Sequence, residues 1–101
     1  MGRKIIVTEL NRNLGNSFNP GGSYTGSAND ARIPGLYFCN FTAVSNGPVT
    51  TGFGYLEVMK VSDSSIMQRV TMFTSTGNIN SYVRYYANSQ WYTWGSMTYT
   101  R

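Results

Sequence analysis

The chain has no histidine, one cysteine and only four acidic residues among its 101, and each shortage removes a class of chemistry. Without histidine the commonest general base and metal ligand is gone. A lone Cys39 can form no intrachain disulfide, and with no histidine it makes neither a Cys–His nucleophile pair nor a zinc site. The acids Glu9, Asp30, Glu57 and Asp63 fall in an arm, a turn-like stretch, a strand and a second turn, and they do not converge as the carboxylate pair of a glycosidase. Gly52-Phe53-Gly54 lacks the further glycines and the helix of a phosphate-binding loop. The chain therefore reads as a protein that is not an enzyme, with no cofactor and no metal.

Charge and long apolar runs are scarce as well. Charged residues make up 12% of the chain, against about 25% in ordinary soluble proteins. The net charge of +4 comes from scattered residues: Arg3 and Lys4, then Arg12, Arg32, Lys60, Arg69, Arg84 and Arg101. No stripe of the kind that tracks a phosphate backbone is formed, so nucleic acid is not an expected partner. Ile5-Ile6-Val7 is too short for a secretion signal or a membrane span. The reading is a protein soluble where it is made, with no membrane insertion.

What is abundant is Ser, Thr, Asn and Gly, together with eight Tyr, five Phe and two Trp. Rich aromatic content with modest net charge argues against disorder and for an all-β domain with a polar, uncharged surface. At this length one domain is expected, burying roughly 60–70% of its unfolded surface.

Read along the chain, residues 11–27 are Asn-, Gly- and Ser-rich loop or linker. Residues 27–32 suggest one helical turn capped by Ser27, ended by Pro34-Gly35. From there runs of strand character recur about every ten residues, as in a meander of antiparallel strands. They are 35–44, 53–62, 65–75, 79–87 and a last strand from Trp91, with a turn-rich connection at 45–52. In 53–62, Leu56 and Val58 share one face, while Tyr55, Glu57 and Met59 share the other. In 79–87, Tyr82, Arg84 and Tyr86 lie together, opposite Val83 and Tyr85. Cys39, inside Gly35-Leu-Tyr-Phe-Cys-Asn-Phe41, is expected to be a buried small hydrophobe. The expected organisation is an extended amino-terminal arm over 1–26 and a compact domain over 27–101. The expected fold is mainly β: a small antiparallel sheet or sandwich with one short helical turn.

One ordered set of residues carries more. Gly35 and Tyr37; Pro48; Gly54, Leu56 and Val58; Gln68; Tyr82 and Arg84; Trp91 and Trp94 follow one another within about 65 residues. In this order they resemble the pyocin-knob domain, which ends the tail fibres of many bacteriophages and of R-type pyocins. Val70 stands where that family often has an aromatic. The resemblance implies a knob-shaped β fold and no enzymatic activity. It also implies a homotrimeric tip, joined to the remainder of a tail fibre, that contacts a receptor on the bacterial surface. The place of action would be the virion or a phage-tail-like bacteriocin, after synthesis in the bacterial cytoplasm. In such a trimer Ile5, Ile6, Val7 and Leu10 of the arm would lie near the three-fold axis. The alternative is a purely structural module that trimerises and caps the fibre.

A Tyr-, Ser-, Gly- and Asn-rich surface suits a glycan receptor, since tyrosine offers rigid amphipathic area and the small polar residues adaptable hydrogen bonds. The candidate ligand-binding residues are aromatics expected outside the core, Tyr55 and Tyr92, with Trp91, Tyr86 and Arg84 behind them. A neutral surface polysaccharide is the expected ligand, bound weakly at each site and insensitively to salt; the loops at 45–52 and 62–65 are the next place to look. Trp91 and Trp94, three apart, fall on opposite faces of a regular strand unless a bulge intervenes. The simplest assignment buries Trp94 with Leu56 and Val58, leaves Trp91 partly exposed, and lets Arg84 stack on an indole.

Overall fold

A computed structural model describes residues 20–73 and 76–99. The fold is mainly β, as expected, but its sheet is mixed. Strands β1 (Pro20–Ser23), β3 (Gly35–Asn40), β5 (Phe53–Ser62), β6 (Ser65–Phe73), β7 (Ile79–Ala87) and β8 (Gln90–Trp91) lie side by side in that order, and β9 (Gly95–Tyr99) also pairs with β7. Strands β3, β5, β6 and β7 form the expected antiparallel meander. At one edge β1 runs parallel to β3. A second, two-stranded parallel sheet joins β2 (Gly26–Ser27) to β4 (Val44–Ser45). Residues 20–27, expected as the end of a loop or arm, thus belong to the sheets. Their backbone finds partners where side-chain periodicity gave no hint, Tyr24 N–H donating to Phe38 O at 2.9 Å. The arm residues Ile5, Ile6, Val7 and Leu10 lie outside the described residues.

Two short 3-10 turns occur where one helical turn was expected. In Ala28–Asp30 the Ser27 hydroxyl accepts from Asn29 N–H, as the capping pattern predicts. In Phe41–Ala43 the Asn40 side chain does the same for Thr42. These turns, with β2 and β4, cover one face of the main sheet. Strand alternation supplies the core beneath them: Leu56 and Val58 of β5 and Ile66 and Val70 of β6 are buried, meeting Cys39, Phe41, Val44, Ala28 and Ala31 from the covering segments and β3. Each such large aliphatic burial is worth about 1.5–3 kcal/mol. Gly54 allows a close approach of β5 to β6. A methyl group there would stand 2.6 Å from Thr71 O, so no larger residue fits without moving β6.

The opposite face of the sheet is open. Phe38, Phe53, Tyr55, Met67, Val83, Tyr85 and Met97 are all exposed on it, with the Arg69–Glu57 ion pair (2.9 Å) among them.

The hairpin from β7 to β8 closes through Asn88 and Ser89, both in left-handed conformation with φ of 55° and 63°. That is the two-residue turn that matches strand twist.

Candidate functional site

The last edge of the sheet is not the single regular strand expected from the sequence. Continuing the Trp91–Tyr86 pairing of β8 by regular steps would set Trp94 opposite Val83, yet Val83 pairs with Gly95. One extra residue is therefore accommodated across 92–94, a bulge. Tyr92 N–H holds it by donating to Tyr85 O at 3.0 Å. The bulge resolves the spacing of the two tryptophans: both indoles turn to the covered face of the sheet and meet the same side chain. The guanidinium carbon of Arg84 lies 4.0 Å from the ring centroid of Trp91 and 4.6 Å from that of Trp94.

Arg84 is 5% exposed, on a face where strand alternation puts core. It is held there by Gln68, which is wholly buried. Gln68 Oε1 accepts from Arg84 Nε at 2.9 Å, while its Nε2 donates to Ala28 O (2.7 Å) and Ala31 O (2.9 Å). One amide thereby ties the first 3-10 turn to the sheet and aims the arginine. The guanidinium has no carboxylate partner among the described residues, and its Nη2 is buried without an acceptor. Burial pushes the Arg84 pKa down to about 10, which leaves it charged at neutral pH.

The indole N–H groups brace the surrounding loops. Trp91 Nε1 donates to Asn29 O at 3.3 Å and Trp94 Nε1 to Asn46 O at 3.1 Å. Asn46 Nδ2 reaches Ser27 Oγ at 2.8 Å and so joins the two loops. A second arginine, Arg32, lies over the Tyr86 ring at 4.4 Å and 5.7 Å from the Trp91 ring. Between these loops and the bulge opens a groove of about 570 Å³, with Arg84, Trp91 and Trp94 beneath and Asn46, Pro48 and Thr93 around it.

Of the five residues singled out from the sequence, Arg84, Trp91 and Tyr92 line this groove. Tyr86 packs edge-on against Trp91, ring centroids 5.3 Å apart, and supports the groove from behind. Tyr92 borders the groove, while its ring stacks on Tyr85 of the open face at 4.7 Å. Its hydroxyl is held below the usual phenol value by hydrogen bonds from Asn88 and then Gln90. Tyr55 is elsewhere, on the open face, edge-on to Phe38. Trp94 is half-buried and packs against the core instead of lying within it. The loop 45–52 contributes Asn46, Gly47 and Pro48 to the groove. Asn29, Asn46 and the pinning role of Gln68 were missed, since nothing in the local pattern of Asn or Gln marks a residue that bonds across 37 or 40 positions.

These features define a small mixed-β domain with an aromatic groove built over a buried, unpaired arginine. No protein-family model, curated protein or solved structure matches the chain. Among the described residues no cluster of side chains is arranged to hold a metal ion.

Proposed function

We propose that this protein is the receptor-binding tip of a phage tail fibre or phage-tail-like bacteriocin, and that its groove recognises a polysaccharide of the bacterial surface. The observation that carries this reading is the groove itself: aromatic rings and neutral amide and hydroxyl groups around an opening of about 570 Å³, the chemistry that accommodates sugar rings and hydroxyls. Three copies in a closed trimer would multiply a weak single-site affinity by simultaneous engagement. The open sheet face is the surface for their association. Its seven exposed side chains offer on the order of 600 Å² at about half exposure each, against the ~800 Å² per partner of a standard interface.

The test is adsorption to a panel of bacteria and to their purified surface polysaccharides, using Tyr92→Ala and Thr93→Phe. Both positions lie at the groove, and neither side chain belongs to the core. Trp91→Ala is a poorer probe, because it removes a brace of the Asn29 loop. Loss of adsorption with an unchanged circular dichroism spectrum supports the reading. Unchanged adsorption in both variants removes the groove from consideration.

A second reading, a module that only trimerises and caps the fibre, is favoured by the same apolar face. A trimeric mass in solution with no binding to any cell or glycan would select it.

A further inference from the structure

We infer that the groove takes a carboxylate-bearing sugar, a uronic or nonulosonic acid of a surface polysaccharide, with Arg84 as its counter-charge. The inference rests on the glycan reading above and replaces the neutral ligand expected from the sequence with an acidic one.

The argument starts from charge. Arg32 and Arg84 flank the same tryptophan, and neither forms an ion pair among the described residues. Glu57 and Asp63 are engaged by Arg69 and Lys60, and Asp30 is exposed on the 3-10 turn. A buried cation without a counter-ion is costly, and here cation–π contact with two indoles substitutes for one only in part. Because Arg84 itself is buried, its charge is screened less than that of a surface arginine, and an anion that pairs with it gains more.

Geometry selects the anion. Arg84 lines the groove with indole rings against its guanidinium, and its Nη2, buried beside the groove, lacks an acceptor. Asn29 lines the same groove, and its Oδ1 is a buried acceptor that lacks a donor. A sugar acid presents the matching pair, a flat carboxylate that accepts from an arginine edge and a neighbouring hydroxyl that donates. A tetrahedral phosphate can also pair with an arginine edge, but it is bulkier than a planar carboxylate and carries no sugar ring to lie against the indoles. Rim groups of Asn46 and Thr93 remain for the other hydroxyls.

The only two tryptophans of the chain are the two that flank Arg84, so tryptophan emission, excited selectively over the tyrosines, reports on this site alone. The full chain is titrated with oligogalacturonate and with the same oligosaccharide after its carboxyl groups are reduced to alcohols. Inorganic phosphate at matched ionic strength is the control. The expected result is a saturable change with the acidic sugar, at least tenfold weaker after carboxyl reduction, little response to phosphate, and weaker binding as salt rises from about 0.05 to 0.5 M. Equal binding of the reduced sugar overturns the acidic class while leaving a glycan site. Equal response to phosphate overturns the selection of a carboxylate. No response to either sugar, in a protein that still adsorbs to cells, overturns the inference, and absence of adsorption as well overturns the glycan reading with it. Arg84→Lys keeps the charge and loses the flat edge; in a variant with native circular dichroism, affinity for oligogalacturonate falls at least tenfold. Because the wild-type comparison of the two sugars needs no variant, a failure of Arg84→Lys to fold leaves the test intact.

Discussion

Replacing Gln68 by methionine keeps the volume of the side chain and removes all three hydrogen bonds that it makes. Ala31 O and the Nε–H of a charged arginine then lose their buried partner, while Ala28 O keeps only the N–H of Ala31 at 3.2 Å. An orphaned buried polar group costs about 1–3 kcal/mol, and a hydrogen bond to a charged group is worth about 1.5–3. The expected loss is about 3–5 kcal/mol, a large part of the ~5–15 kcal/mol that holds a domain together. Urea unfolding followed by tryptophan fluorescence measures it, and the same signal reports release of the indoles from Arg84. In the double variant Gln68→Met/Arg84→Met the guanidinium no longer needs an acceptor. Its cost should fall short of the sum of the two single variants by about 1 kcal/mol or more. A loss below about 1.5 kcal/mol for Gln68→Met, with the emission maximum unshifted, would refute the idea that one amide holds the covering turn and the arginine together.

Three further outcomes are expected. Leu56→Ala, at a fully buried position, should lower stability by about 2–4 kcal/mol in the same urea titration. Ser89→Gly should raise stability by about 0.5–1 kcal/mol, since the left-handed conformation of Ser89 costs a side-chain-bearing residue more than glycine; thermal unfolding would show a rise of several degrees. Burial pushes the Cys39 thiol up to about 11. A folded-state value above the unfolded one contributes stability that is complete below pH ~9 and lost between there and ~11. Cys39→Ala should flatten that decline, and the wild-type thiol should resist iodoacetamide at pH 8 until the protein is unfolded.

The meander was legible because alternation was strong: Leu56 and Val58 against Tyr55 and Glu57 announced both the strand and its buried side. The helical turn was legible from one cap, Ser27. Arg84 carried an ambiguous signal. Its place between Tyr82 and Tyr86 set its face correctly, but a charged residue in that row argued for solvent, and only a partner 16 residues away in sequence, Gln68, reverses the argument. Residues 20–27 were illegible because a parallel edge strand built on Gly21 and Gly22 draws its stability from backbone pairing, which leaves no side-chain period. The tryptophans posed the right question, since their spacing demanded a bulge. Its position could not be read, because register is set by pairing along the whole edge.

The bulge has a consequence for how such a domain diversifies. On one side of residues 92–94 the ladder is closed by the Asn88–Ser89 hairpin; on the other it is carried by five paired residues of β9. Both anchors hold whatever the length of the detour between them. Removing one residue there would restore regular pairing and still leave Trp94 opposite Arg84, on the same face, while erasing the projecting rim. Adding residues would lengthen the rim above an unchanged arginine clamp. Lineages can therefore alter the reach of this surface through insertions and deletions at a single point, while the folding core beneath experiences no mutation at all.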